Sequence, residues 1–246
     1  MPARVGLIIP SSNRMVEQEM TRAFPEGVTA HVMRLRMTGP HHVPLEKLLP
    51  RVEEATRTLM DAKCDVVAFH CTAASTEAGL AGEERALAAV RRGGAEQATT
   101  TATAIRNAFA ALAARRIVLV TPYDAHTTAE EAAFFRTAGY EELHQVGFAL
   151  GGSDQFCAAP AQFWFDRTVE AARPEADAYL ISCANIATFA IIEELEHRLE
   201  RPVVTSNQAV LWDALRRLGW RDRRGCPGRL FASPTAVETT AAAPSA

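Results

Sequence analysis

At 246 residues and 48% hydrophobic content, the chain can bury one large core or two modest ones. Its 26 basic and 29 acidic residues give a formal net charge of -3 with no block of one sign, which argues against nucleic acid and membrane surfaces as partners and for a small molecule. Five cysteines, an odd number without regular close spacing, argue against a disulfide framework and for a reducing compartment, the cytoplasm by default. The start of the chain has no long apolar stretch of the kind a secretory leader needs, and no segment approaches the length of a membrane span.

The first apolar run, residues 5–9, is short, unbroken and rich in Val and Ile, as strands covered on both faces are. Residues 13–24 follow as a helix with Val16, Met20, Ala23 and Phe24 on one face, and residues 28–37 as a strand. Gly39, Pro40 and Pro44 then break the pattern in a loop whose His41 and His42 read as exposed. Helix resumes around Pro50, since proline is tolerated in a first turn, and runs to about residue 62. A strand at 66–69 leads to Cys71, a helix at 76–92 closes at Gly93-Gly94, and the small-residue stretch 98–102 is a short strand entering a helix at 103–114. The plan then repeats. Strand 117–120, helix 127–137, strand 142–149, helix 161–173, strand 178–181 ending near Cys183, helix 187–200, strand 203–205 and helix 206–218 complete the alternation. Past Cys226, three prolines and a run of Ala, Thr and Ser are too poor in core formers to fold, so residues 227–246 read as a disordered tail.

The repetition is explicit in single residues. Val5, Leu7, Pro10, Asp65 and Cys71 recur 112 residues later as Ile117, Leu119, Pro122, Asp177 and Cys183. Strands alternating with helices specify parallel sheets with helices on both faces, and ligands bind beyond the carboxyl ends of such strands. Both cysteines stand there. The expected architecture is α/β, two similar Rossmann-like (flavodoxin-like) domains related by a pseudo-twofold axis, with the site in the cleft between them and a thiol on either side of one small ligand.

Each cysteine enters a turn of small residues, Thr72-Ala73-Ala74 after Cys71 and Ala184-Asn185-Ile186 after Cys183. Such turns can aim backbone N–H groups at an anion and favour a thiolate. A carboxylate held by these donors can accept charge from its alpha carbon as an enediolate. The other repeated corner adds Ser11 and Asn13 at a helix start, and Thr121 and Tyr123 after the second proline, the phenol being a donor to an oxyanion. Asn13 and Ser11 also suit simple helix capping, and Tyr123 simple rim packing. None of the four motifs contains Lys or Arg, so binding rests on neutral donors. No zinc-type spacing and no glycine-rich dinucleotide fingerprint is present, so neither metal nor cofactor is expected. His70 adjoins Cys71, but neighbouring strand residues point to opposite faces, which makes it a packed residue or one satisfied by the backbone. Cys64, Cys157 and Cys226 lie outside the repeat and read as structural.

The run ending in Pro10-Ser11-Ser12-Asn13, the Cys71-Thr72 turn, the Thr/Ala-rich stretch 98–104, Val120-Thr121-Pro122-Tyr123 and Cys183-Ala184-Asn185 together resemble the aspartate/glutamate racemase superfamily. Within it they are most similar to the branch of maleate cis-trans isomerases and arylmalonate decarboxylases, over roughly residues 4–220. The resemblance implies that the last helix crosses back to the first domain, giving domains of 1–98 plus 207–226 and of 99–206. It implies that Cys71 adds to the double bond of maleate and Cys183 handles the proton. Asn13 and Tyr123 would hold the carboxylates, with N–H groups at Thr72, Ala73 and Ala184 completing the cradle, and Gln155 would stand where the isomerases carry an asparagine. Decarboxylases of this branch have glycine in place of the first thiol, and the amino-acid racemases carry an Asp-Ser motif absent here, so an unaminated acid is expected. The expected function is cofactor-independent isomerisation of an unsaturated dicarboxylate, maleate to fumarate. Racemisation or decarboxylation of a 2-substituted acid, and carboxylate binding without catalysis, stay open, as does homo-oligomerisation.

Overall fold

The computed structural model describes residues 2–37, 43–221 and 225–233; His41, His42 and residues 234–246 lie outside the described residues. The first half runs β1 (Ala3–Pro10), α1 (Val16–Ala23), β2 (Val28–Leu35), α2 (Leu45–Asp61), β3 (Val66–Phe69), α3 (Thr72–Thr76), α4 (Gly79–Arg92), β4 (Ala98–Thr100) and α5 (Thr101–Ala111). The second runs β5 (Arg116–Thr121), α6 (Ala125–Thr137), β6 (Glu141–Gly147), α7 (Ser153–Ala158), α8 (Ala161–Glu170), β7 (Ala178–Ile181), α9 (Ile192–Leu199), β8 (Val203–Thr205) and α10 (Ser206–Arg217), with α11 (Arg229–Ala232) after it. The strands form two four-stranded parallel sheets, ordered β2-β1-β3-β4 and β6-β5-β7-β8. The fold is therefore α/β, as the alternation predicts.

Register repeats along with sequence. Val5 lies opposite Val66 and Ile8 opposite Phe69, while Ile117 lies opposite Ala178 and Val120 opposite Ile181. Because side chains alternate along a strand, Val5, Leu7 and Ile9 face one cluster together with Ile117 and Leu119. Ile8 faces the other way, onto α2 and α4, and Val118 and Val120 face Trp164 of α8 and Leu195 of α9. The shared cluster also takes Ile105 and Phe109 of α5 and Val210, Leu211 and Trp212 of α10, so the two halves are joined by a common core. Both joining helices start in the same way. Thr100 Oγ1 accepts from the Thr103 N–H at 3.0 Å, and Thr205 Oγ1 from the Gln208 N–H at 3.2 Å, with Gln208 Oε1 returning to the Thr205 N–H.

Several elements differ from the sequence expectation. Helix α2 begins at Leu45 and continues through Pro50, which costs the bond its missing N–H would have made one turn back. The helix expected at 76–92 is α4, which starts at Gly79, and the turn expected after Cys71 is itself the short helix α3. The helix expected from residue 187 starts only at Ile192, after a 3₁₀ turn at Phe189–Ile191. The cause is Glu19 of α1, whose Oε1 takes the N–H groups of Thr188 and Phe189 at 2.5 and 2.8 Å. No helix among the described residues is long and apolar enough to cross a membrane.

Residues 225–233 are not a tail. Leu230 and Phe231 of α11 are buried in the shared cluster, Gln208 Nε2 donates to the Pro227 carbonyl at 2.9 Å, and the Arg229 N–H donates to Glu196 Oε2 at 2.8 Å. Gly228 precedes the helix at φ +88°, and a Cβ there would lie 2.7 Å from Ile192 Cγ2, so no other residue fits without displacement. Two apolar side chains suffice to anchor a segment whose composition looks unfoldable. Phe231→Ala should lower unfolding free energy by about 3 kcal/mol in urea titration. A loss of only a few tenths would mean that α11 contributes little to the core.

Candidate active site

The carboxyl ends of β1, β3, β5 and β7 meet around one cleft of about 380 Å³, and both Cys71 and Cys183 line it as free thiols. Cys71 is the extended residue before α3, where the first N–H groups of a helix have no intrahelical acceptor. The Ala74 N–H is directed at its sulfur. The turn after Cys183 does not begin a helix. Instead the Asn185 N–H folds back to Cys183 Sγ at 3.3 Å, and the Tyr123 phenol stands on the same sulfur's side of the cleft, where it lowers the thiol pKa.

Burial nevertheless outweighs these donors. It pushes the Cys71 thiol up to about 11 and the Cys183 thiol up to about 12, against the pull of the Ala74, Tyr123 and Asn185 donors. At neutral pH each thiolate is a minor form, on the order of one part in ten thousand or less. Burial likewise raises the Tyr123 phenol well above its ordinary value, so it stays a donor. The cleft is therefore a set of neutral donors and neutral thiols, with no Lys or Arg among its described lining residues. Asp124, the one charged residue among the described lining, spends its carboxylate on α6, accepting from the Thr127 N–H at 2.8 Å, which holds its pKa below the usual range.

Of the residues expected at the site, Asn13, Thr72, Ala73, Tyr123, Ala184 and Asn185 line the cleft with the two cysteines. Asn13 is also a structural tie: its Oδ1 accepts from the Met15 and Val16 N–H groups, both at 3.0 Å, and its Nδ2 donates to the Ala184 carbonyl at 2.8 Å. Asn185 bridges the halves in the opposite sense, accepting from the Arg14 N–H at 2.8 Å. Three expected residues are not in the wall. Ser11 Oγ accepts from the Met37 N–H at 3.2 Å and fixes the end of β2. Thr121 is fully buried against Thr128, Oγ1 to Oγ1 at 2.7 Å, and accepts from the Tyr123 N–H at 3.2 Å, which makes it a support for the phenol. Gln155 lies on α7 and turns back on its own loop, its Oε1 accepting from the Gly151 N–H at 2.6 Å. His70 is buried as expected, but side chains satisfy it, Thr101 Oγ1 and Asn207 Oδ1 each at 2.9 Å, and burial lowers its pKa to about 4, leaving it neutral.

The sequence reading missed four groups. Ser206, the first residue of α10, receives the Thr72 hydroxyl at 2.9 Å and the Cys183 N–H at 3.1 Å, and so joins the two cysteine turns. Its signal was the Thr100-Thr101 and Thr205-Ser206 correspondence. Ser12 lines the cleft and meets Ser153 of α7, Oγ to Oγ at 2.9 Å. Ala149 and Leu150 extend β6 beside the Tyr123 corner, with N–H groups donating to the Tyr123 and Pro122 carbonyls, both at 2.9 Å. Gly147 permits that approach, since a Cβ there would stand 2.6 Å from the Tyr123 carbonyl oxygen. Finally, Met37, Val43, Leu150 and Phe156 make an apolar wall, Phe156 meeting Tyr123 edge-on at 6.0 Å.

Comparison with known proteins agrees with this geometry. The arylmalonate decarboxylase family model matches residues 5–231. An arylmalonate decarboxylase of Bordetella bronchiseptica is 29% identical over 92% of this chain and 95% of its own, and a maleate isomerase of Geobacillus stearothermophilus is 26% identical over 87% and 91%. A liganded arylmalonate decarboxylase carrying a glycine-to-cysteine and a cysteine-to-serine substitution superposes with a TM-score of 0.86, at 28% identity, covering 93% of this chain and 98% of that one. These relatives are enzymes acting on small acids. With nearly its whole length matched by the family model, the chain belongs to the arylmalonate decarboxylase family.

Proposed function

We propose that this protein is a cofactor-independent isomerase of a small unsaturated dicarboxylate, with maleate to fumarate as its leading reaction. The observation that carries this reading is the pair of thiols, Cys71 and Cys183, lining one cleft of neutral donors, with no basic side chain among its described lining residues. The maleate isomerases among its relatives, at 22–27% identity, support the choice of substrate class. Cys71 sulfur bonds to one alkene carbon, and the π pair moves through the other carbon into its carboxylate as an enediolate. Cys183 gives its proton to that carbon and takes the one Cys71 loses, so the net change is addition of S–H across the double bond. Rotation about the resulting single bond precedes the reverse steps, which break the S–C bond and release the trans acid. Tyr123 and the N–H groups of Thr72 and Ala73 are placed to bear the carboxylate charge.

The apolar wall of Met37, Val43, Leu150 and Phe156 favours a second reading, racemisation or decarboxylation of an acid with an apolar 2-substituent. The cleft volume falls in the range of roughly 300–1,000 Å³ that takes larger ligands than a four-carbon diacid. Proton NMR in deuterium oxide distinguishes the readings. Incubation with maleate should yield fumarate signals. Deuterium exchange at the alpha carbon of a chiral 2-aryl acid without loss of maleate would shift the assignment to the second reading, and no change in any acid would leave only binding.

A further inference from the structure

The two halves place a glutamate at equivalent positions, part-buried in the first and buried in the second. Glu19 of α1 and Glu131 of α6 are 112 residues apart, as are His70 and Ser182, the residues just before the two cysteines. In the first half the acid is fully partnered: Glu19 Oε1 accepts two backbone N–H groups, and its Oε2 accepts from Asn207 Nδ2 at 2.7 Å, which in turn meets His70. The second half is more direct and less complete. The Ser182 hydroxyl donates to Glu131 Oε1, while Oε2 is buried without a hydrogen-bond partner among the described residues. Glu131 is 1% exposed, and among the described residues its one side-chain hydrogen bond is to Ser182.

We propose that Glu131 is a positioning residue for Cys183: through Ser182 it fixes the strand end that carries the thiol, and its ionisation places a negative charge behind that thiol. The consequence for turnover rests on the proposed role of Cys183; the coupling between the two groups does not. A buried carboxyl with one donor resists ionisation, and burial pushes Glu131 up to about 7 against the Ser182 bond. Below that pH the acid is neutral and leaves the thiol unopposed. Above it, a carboxylate in a low-dielectric setting raises both Cys183 and Tyr123, and so disfavours any anion in the cleft.

Other titratable groups near α6 do not substitute for it. On β6, Glu142 is paired with Arg136, and His144 has its pKa lowered by partial burial; on α4 the buried Glu83 is paired with Arg106; α3 carries none. On the site side the groups are Tyr123 after β5 and Cys183 after β7, with Cys71 opposite.

The test is the alkylation rate of Cys183 by iodoacetamide, read by peptide mass from pH 5.5 to 9.5, in the full chain and in Glu131→Gln and Ser182→Ala. In the wild type the rise of rate with pH should flatten near pH 7. Glu131→Gln should match it below pH 6, rise without a break, and react about tenfold faster at pH 9, the effect of one pKa unit. Ser182→Ala removes the bond that favours the carboxylate, so its break should move to higher pH; this variant carries the test if Glu131→Gln does not fold. Superimposable profiles of the wild type and a Glu131→Gln protein with an unchanged melting temperature would overturn the proposal, as would an unmoved break in Ser182→Ala. No acid substrate is present, so failure of the isomerase reading in the NMR panel and failure of this coupling are separate results.

Discussion

Cys71→Ser should lower maleate turnover by roughly ten thousandfold or more while leaving KM nearly unchanged. The reason is intrinsic reactivity. A serine hydroxyl has about the same size and can keep the Ala74 N–H contact, so the wall and the α3 turn survive. It is a far poorer nucleophile toward an alkene carbon, and its proton is much harder to remove than that of a thiol already pushed up to about 11. The loss therefore falls on kcat. Initial rates by loss of maleate absorbance, measured beside a thermal melt, check it. Turnover within tenfold of the wild type would exclude Cys71 as the attacking group.

Tyr123→Phe should lower kcat about a hundredfold, with a smaller change in KM. Two effects act in the same direction. The phenol is a neutral donor beside Cys183, and removing it takes away an interaction that holds the thiol pKa down. In the proposed mechanism it also deletes a donor to the enediolate charge. Ring packing is retained, because the edge-on contact with Phe156 and the Thr121 support of the backbone do not involve the hydroxyl. The melting temperature should then stay within a few degrees. A variant that melts earlier but turns over normally would make Tyr123 a packing residue and place the oxyanion donors elsewhere.

Much of the frame was legible because it rests on local pattern. Buried parallel strands read as Val/Ile runs, and the recurrence of Val5, Pro10, Asp65 and Cys71 as Ile117, Pro122, Asp177 and Cys183 matches the equal strand registers. The failures arise where distant groups decide. Nothing near residue 187 announces that Glu19, on another helix, takes the N–H groups of Thr188 and Phe189 and delays α9. Gln155 was expected in the cleft, yet Gly151-Gly152 lets the chain turn so that the amide serves its own loop. Ser11 and Thr121 sit at the same corners as lining residues, but their hydroxyls are taken by partners distant in sequence or behind the wall, Ser11 by the Met37 N–H and Thr121 by Thr128 and the Tyr123 N–H. Leu230 and Phe231 are two apolar residues in a poor context, and only their landing place makes them core. The buried Glu131 was invisible for the same reason: on α6 it reads as a surface acid beside Glu130.

The central claim is that the two thiols act on one bound acid, Cys71 as nucleophile and Cys183 as proton carrier. Peptide mass spectrometry of Cys183→Ser incubated with maleate tests it most directly, since addition at Cys71 then lacks the group that returns the proton efficiently. The account predicts a mass increase equal to one maleic acid on the peptide bearing Cys71, absent in Cys71→Ser. An unmodified Cys71 peptide, or the same mass increase on another cysteine in both variants, would contradict it.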